Sequence, residues 1–181
     1  MTYGAPYRIA ITGHRPNRMH VGVARIERQL KQVLRRLARE ARGCAVPQTP
    51  ITISALAEGS DRLFAEAALK LGMPLEVILP FKSADYVTTF GDAATLPTYH
   101  ALLAQAAKVN ELPGTLTDST VAYEAVGRAC VDACDILVAV WDGKPAAGRG
   151  GTPEIIDYAR SKGRPVIWIH AGEKRRASRL Q

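Results

Sequence analysis

The chain has 181 residues, 47% of them apolar and 23% charged, with a mean hydropathy of −0.06. That length and balance suit one globular domain that buries close to 70% of its unfolded surface, and they exclude disordered, collagen-like and coiled-coil classes. The formal charge of +7 is uneven, because positions 1–45 hold ten Lys or Arg against two Asp or Glu, and positions 173–181 hold four against one.

In chain order, Tyr7 to Thr12 (YRIAIT) is a short apolar run closed by Gly13, which predicts a buried strand. Val23, Ile26, Leu30, Val33, Leu34, Leu37 and Ala41 then recur at helical spacing, with arginines filling the other face. This amphipathic helix is closed by Gly43. Ile51 to Leu56 reads as a second strand, followed by a helix that Ser60 would cap and Gly72 would stop. Pro74 to Leu79 gives a third strand. From 81 to 118 the pattern changes to an inserted crossover or lid, with helices around Ala84 to Phe90 and Pro97 to Asn110. A helix over Val121 to Cys134, a strand over Ile136 to Trp141 and a glycine-rich loop over Asp142 to Gly151 come next. Thr152 would cap a helix with Pro153 in its first position. Pro165 to Ile169 is the last strand.

Strands alternating with helices predict an α/β, Rossmann-like three-layer sandwich around a five-stranded, mostly parallel sheet in the order 3-2-1-4-5. Residues 1–172 form a single domain in this reading, and 173–181 a basic tail. No apolar run reaches the roughly 18 residues of a membrane span, and the opening residues lack a leader pattern. A cytoplasmic protein with no membrane partner is the expectation. Three cysteines, an odd count, argue against a disulfide framework. Cys130 and Cys134 stand one helical turn apart, but no histidine pairs with either at zinc spacing, so neither a metal nor a cofactor is expected.

In an open parallel sheet, ligands bind beyond the carboxyl ends of the strands. That rule selects three loops: Thr12-Gly13-His14-Arg15, Ala57-Glu58-Gly59-Ser60-Asp61-Arg62, and Asp142 through Thr152. The strongest is Gly148-Arg149-Gly150-Gly151-Thr152. Its glycines let backbone approach a ligand, Arg149 supplies charge, and the following helix N-terminus favours anions, phosphate above all. Arg149 is equally well read as a solvent-exposed loop charge. Glu58 and Asp61 suit either sugar hydroxyls and acid–base work or the N-terminus of their own helix. His14 suits a ligand contact, Trp141 core packing, and Tyr86 and Phe90 packing or stacking on a base. A Walker lysine pattern, the G-x-G-x-x-G fingerprint and a G-x-S-x-G elbow are all absent, which argues against a P-loop NTPase, a conventional nicotinamide dehydrogenase and a serine hydrolase.

The run Cys134 to Trp141 followed by Gly148-Arg149-Gly150-Gly151-Thr152-Pro153-Glu154 resembles the LOG superfamily, which joins nucleotide phosphoribohydrolases, Smf/DprA proteins and nucleotide-sensing SLOG domains. Thr12 to Arg15 and Ala57 to Arg62 look like its sensor-type branch. The hydrolases carry P-G-G-x-G-T-x-x-E. Laid on this chain, that signature puts Gly151 and Thr152 under G-T, and Ile155 under the catalytic glutamate. Glu154 lies one position early, about 100° around a helix. The hydrolases' upstream arginine falls near Val126, with Arg128 two residues away. The resemblance therefore implies a binder of a nucleotide or nucleotide-derived small molecule, without a cofactor and commonly as a homodimer or higher homo-oligomer. Its ligand-binding set is Gly13, His14, Arg15, Glu58, Gly59, Asp61, Arg149, Gly150, Gly151 and Thr152. An N-glycosidase acting on nucleoside monophosphates, with Glu154 or Glu58 as the carboxylate, is the alternative. Nucleic-acid binding through the arginine face of the first helix is a third, although a solvated helix face plus a frayed end is the preferred reading of that basicity.

Overall fold

In a computed structural model that describes residues 4–145 and 150–180, a seven-stranded sheet runs through the centre in the order β4-β3-β2-β1-β5-β6-β7. The strands are β1 (Tyr7–Gly13), β2 (Pro50–Ser54), β3 (Leu75–Leu79), β4 (Lys108–Glu111), β5 (Ile136–Trp141), β6 (Val166–His170) and β7 (Ser178–Leu180). All neighbours are parallel except β6 and β7, which run antiparallel. The helices are α1 (Val23–Arg42), α2 (Ser60–Lys70), α3 (Ser83–Tyr86), α4 (Leu96–Ala104), α5 (Ser119–Asp132) and α6 (Thr152–Ser161).

Alternate side chains of one strand go to opposite layers. Ile9 and Ile11 of β1, with Ile136, Val138 and Val140 of β5, pack under α1 and α2. Ala10, Leu137 and Ala139 pack under α5 and α6. Both faces of the sheet are thus covered, which is why the strands read as continuous apolar runs. A third cluster joins β3, Phe81, Tyr86, Tyr99 and Leu102.

The expected five strands are corrected to seven. Those five are the inner and neighbouring strands β3-β2-β1-β5-β6, and each edge carries one more. Lys108 to Glu111 (KVNE) is fully exposed and polar, suiting an edge strand but reading as the end of a helix. The second insertion helix therefore stops at Ala104, where the predicted one ran to Asn110. The basic tail folds back: Ser178 to Leu180 pairs with Trp168 to Val166. Two predicted caps also differ. Gly59 and Gly151 take the N-cap positions of α2 and α6, and no side chain caps either helix. Among the described residues, no helix is long and apolar enough to cross a membrane.

Candidate functional site

β1 and β5 are neighbours, but the helices that follow them go to opposite faces of the sheet. The loops after the two strands diverge, as happens at a topological switch point, and leave a cleft of about 410 Å³ at the carboxyl edge. Thr12 to Arg15 form one wall and Gly150 to Pro153 the other, while Asp61, Tyr86, Tyr123 and Ile155 also line it. Gly13 is required where β1 passes β5 and α2. A Cβ there would lie 2.7 Å from the Val140 carbonyl oxygen and 2.6 Å from Ser60 Oγ. Gly150 holds φ at +76°, and its Cβ would meet the Glu124 amide nitrogen at 3.0 Å.

His14 is buried, and its imidazole turns into the protein. Its Nε2 lies 2.9 Å from Asp142 Oδ1, and Arg18 closes on the same carboxylate at 2.8 and 3.1 Å. The Lys144 N–H donates to Asp142 Oδ1 at 3.1 Å. Burial alone would push the Asp142 carboxyl up, but the hydrogen bonds from His14, the Lys144 amide and Arg18 hold it well below the usual carboxylate range. Burial pushes the His14 imidazole down, and Asp142 recovers only part of that shift. The Asp142 backbone N–H also donates to His14 Nε2 at 3.2 Å, so the imidazole is held against both the carboxylate and the backbone of Asp142. His14 thus ties β1 to β5. Asp142 and Arg18 were missed as site-shaping residues; Asp142 could have been found by its position immediately after a buried strand, whereas Arg18 carries no sequence signal.

Glu58 and Asp61, three apart, diverge. Glu58 accepts from the Gly91 N–H at 3.0 Å, the Asp92 N–H at 3.3 Å and Thr95 Oγ1 at 3.2 Å, with Arg15 at 3.7 Å. Burial raises its carboxyl, but these donors outweigh burial and bring it below its ordinary value. Its carboxylate therefore anchors residues 91–95. Asp61, in the first turn of α2, faces the cleft. Burial pushes its carboxyl up to about 7, against the opposing pull of the Ala57 and Ala55 amides and the Arg62 charge. A buried carboxyl in a cleft, poised near neutrality, is the kind of group that binds or moves protons.

Arg62, the next residue, is buried in the other direction. Nε donates to the Leu56 carbonyl at 3.0 Å and one terminal nitrogen to the Thr95 carbonyl at 3.1 Å, while the guanidinium lies 4.3 Å over the Phe90 ring. Its other terminal nitrogen is buried without a hydrogen-bond partner. Leu56 itself holds φ at +55°, a strained conformation for a non-glycine residue, in the loop between β2 and α2.

Gly150, Gly151 and Thr152 stand at the N-terminus of α6 and face Gly13 to Arg15, as the loop pattern predicts. Arg149 and Gly148 lie outside the described residues. Glu154 is exposed, and its Oε2 accepts the Gly150 N–H at 2.6 Å, so it shapes the loop. Ile155 is buried on the cleft wall against Gly127. Tyr86 is buried in an aromatic cluster with Phe81, Phe90 and Tyr99, with one side on the cleft. Phe90 packs under Arg62. Trp141 packs against Trp168 with the ring planes tilted by 41°, and its Nε1 donates to the Lys144 carbonyl at 2.8 Å. Arg128 pairs with Glu124 on the outside of α5 at 2.7 Å. Cys130 and Cys134 are buried thiols; burial pushes both up, Cys134 to about 11, which keeps them protonated and poor nucleophiles. On α1, Lys31 and Arg36 pair with Glu27 and Glu40, while Arg28, Arg35, Arg39 and Arg42 have no carboxylate partner among the described residues.

No protein-family model and no curated protein matches the sequence. Solved structures do match its fold. DNA processing protein A from Streptococcus pneumoniae superposes with a TM-score of 0.58 at 16% identity, over 90% of this chain and 50% of that one. The structural genomics target TM1055 gives 0.55 at 14% identity, over 88% and 72%. A molybdenum cofactor binding protein from Rippkaea orientalis gives 0.50 at 18% identity, over 91% and 77%. The chain thus spans half the length of the pneumococcal protein. Identities this low speak for architecture alone, and the architecture shared with these three proteins is a Rossmann-like α/β fold.

Proposed function

We propose that the protein binds a phosphate-bearing, nucleotide-derived small molecule in the cleft between β1 and β5, as a ligand sensor. The observation that carries this reading is the pairing of a glycine-rich helix N-terminus, Gly150 to Thr152, with a cleft of drug-ligand size. In this proposal the phosphate sits at the α6 N-terminus, where it displaces the Glu154 carboxylate from the Gly150 N–H, and Arg149 adds charge. Gly13 and Arg15 form the opposite wall. Asp61 reads sugar hydroxyls from the floor, and Tyr86, Tyr123 and Ile155 supply apolar contact. His14 and Glu58 hold the walls in place through Asp142 and residues 91–95. The fold also occurs in a protein described as binding the molybdenum cofactor, which supports small-molecule binding. A homodimer belongs to the same proposal, checked by light scattering.

The reading is non-hydrolytic, because Ile155 occupies the cleft where the signature of the hydrolases has its glutamate, and Glu154 is exposed one position earlier. The experiment is a thermal-shift titration with AMP and adenosine, with free adenine measured in the same samples. AMP at a hundredfold excess over its Kd raises stability by about 2.7 kcal/mol, or roughly 5 to 11 °C for a chain of this size. Adenosine gives a much smaller shift, and no adenine is released. Equal shifts with both would remove phosphate from the reading. Adenine release lost in Glu154→Gln would replace the sensor with the hydrolase.

A further inference from the structure

Beside the β1/β5 cleft lies a second cavity of about 490 Å³, between residues 15–19, the start of α2 and residues 91–98. Arg15 and Asn17 line both cavities, so the half-exposed Arg15 side chain stands on the border between them. The second cavity is built differently from the first. Met19, Val23 and Leu63 give it an apolar wall, and Val23 is an apolar side chain left 45% exposed. Its polar residues are Asn17, Glu58, Arg62, Asp92, Thr95 and Thr98, beside the bordering Arg15. Two carboxylates repel a phosphate in the body of this cavity, and the cation Arg15 stands at its border, 3.7 Å from Glu58. An apolar wall with carboxylates and hydroxyls at its edge suits a planar heterocycle that carries no negative charge. The cationic Arg15 between the cavities suits an anionic link.

We propose that the ligand is a two-unit nucleotide, a nucleoside diphosphate derivative whose first unit fills the β1/β5 cleft, whose bridging phosphate meets Arg15, and whose second, heterocyclic unit fills the cavity bounded by Val23, Leu63, Arg62 and Thr98. This inference rests on the small-molecule reading of the first cleft and adds the second half of the molecule. Glu58 is then a positioning residue: by anchoring Gly91, Asp92 and Thr95 it holds the far wall of the second cavity.

The test is calorimetric titration with two probes, AMP and NAD, against the native protein and two variants, Thr98→Trp and Val23→Trp. Both positions are exposed at the mouth of the second cavity, so an indole there fills space without disturbing the core, and an unchanged melting temperature checks this. The native protein is expected to bind NAD at least tenfold more tightly than AMP. Each variant should lower NAD affinity to that of AMP and leave AMP affinity within twofold of native. NAD binding unaffected by both tryptophans would overturn the second compartment, as would equal losses for AMP and NAD. AMP binding with no gain for NAD would overturn it while leaving the single-cleft reading intact. Failure of both probes to bind the native protein would overturn the nucleotide reading itself, and this inference with it.

Discussion

Two buried carboxylates stand at the same end of the sheet, and their surroundings make them opposites. Asp142, after β5, receives hydrogen bonds from His14, Arg18 and the Lys144 amide. Asp61, at the start of α2, has backbone amides and the Arg62 charge to offset its burial, and these do not suffice. The first is held ionised far below its ordinary range and the second is pushed up to about 7. Both side chains are shielded from solvent, but Asp61 lies deeper in the protein; depth of burial together with the number and charge of the donors sets the two carboxyls apart. The same contrast separates Glu58, committed to residues 91–95, from Asp61 three positions on.

That comparison breaks most visibly at Asp142. Asp142→Ala leaves His14, Arg18 and the Lys144 amide without their acceptor, and removing one partner of a buried ion pair costs about 3 kcal/mol. Denaturant unfolding should show the midpoint falling with an unchanged slope. Gly13→Ala should cost about 2 kcal/mol through overpacking against the Val140 carbonyl, a backbone atom that cannot swing aside. At Asp61 the comparison is sharpened by pH. A carboxyl raised in the folded state binds its proton more tightly there than in the unfolded chain. Its contribution to stability is present below the unfolded value near 4 and is lost as pH rises through about 7. Asp61→Asn should therefore stabilise the protein at pH 8 by about 2 kcal/mol, with the gain fading towards pH 4. Asp142 has the opposite sign: its lowered value contributes stability above about pH 4 that is lost on acidification. The smallest effect belongs to Glu154→Gln. This exposed side chain tethers one amide of the loop, and its loss should cost about 0.5 kcal/mol.

Much of this was legible because it depends on local pattern. The five strands that pack on both faces are apolar runs, and the loops at their carboxyl ends follow from sheet topology. The cleft walls at Gly13 to Arg15 and Gly150 to Thr152 were found that way. The edge strands were not, because Lys108 to Glu111 and Ser178 to Leu180 bury little and draw their order from hydrogen bonds to β3 and β6. The division of labour within the site was hidden for a related reason. His14 and Glu58 have chemically suitable side chains, but Asp142 lies 128 residues from His14, and Gly91 lies 33 from Glu58. Nothing in local spacing announces such partners. Arg62 was passed over for Asp61, although it forms a wall of the second cavity.

The claim that Asp61 faces the ligand while Asp142 serves the scaffold is tested most directly by carbon-13 NMR of the two carboxyl groups, titrated with and without AMP. Asp61 should titrate near 7 in the free protein. AMP should shift the Asp61 resonance and its titration midpoint, while Asp142 stays ionised and unmoved in both series. An Asp61 resonance indifferent to bound AMP, or one that moves no more than that of Asp142, would contradict this claim.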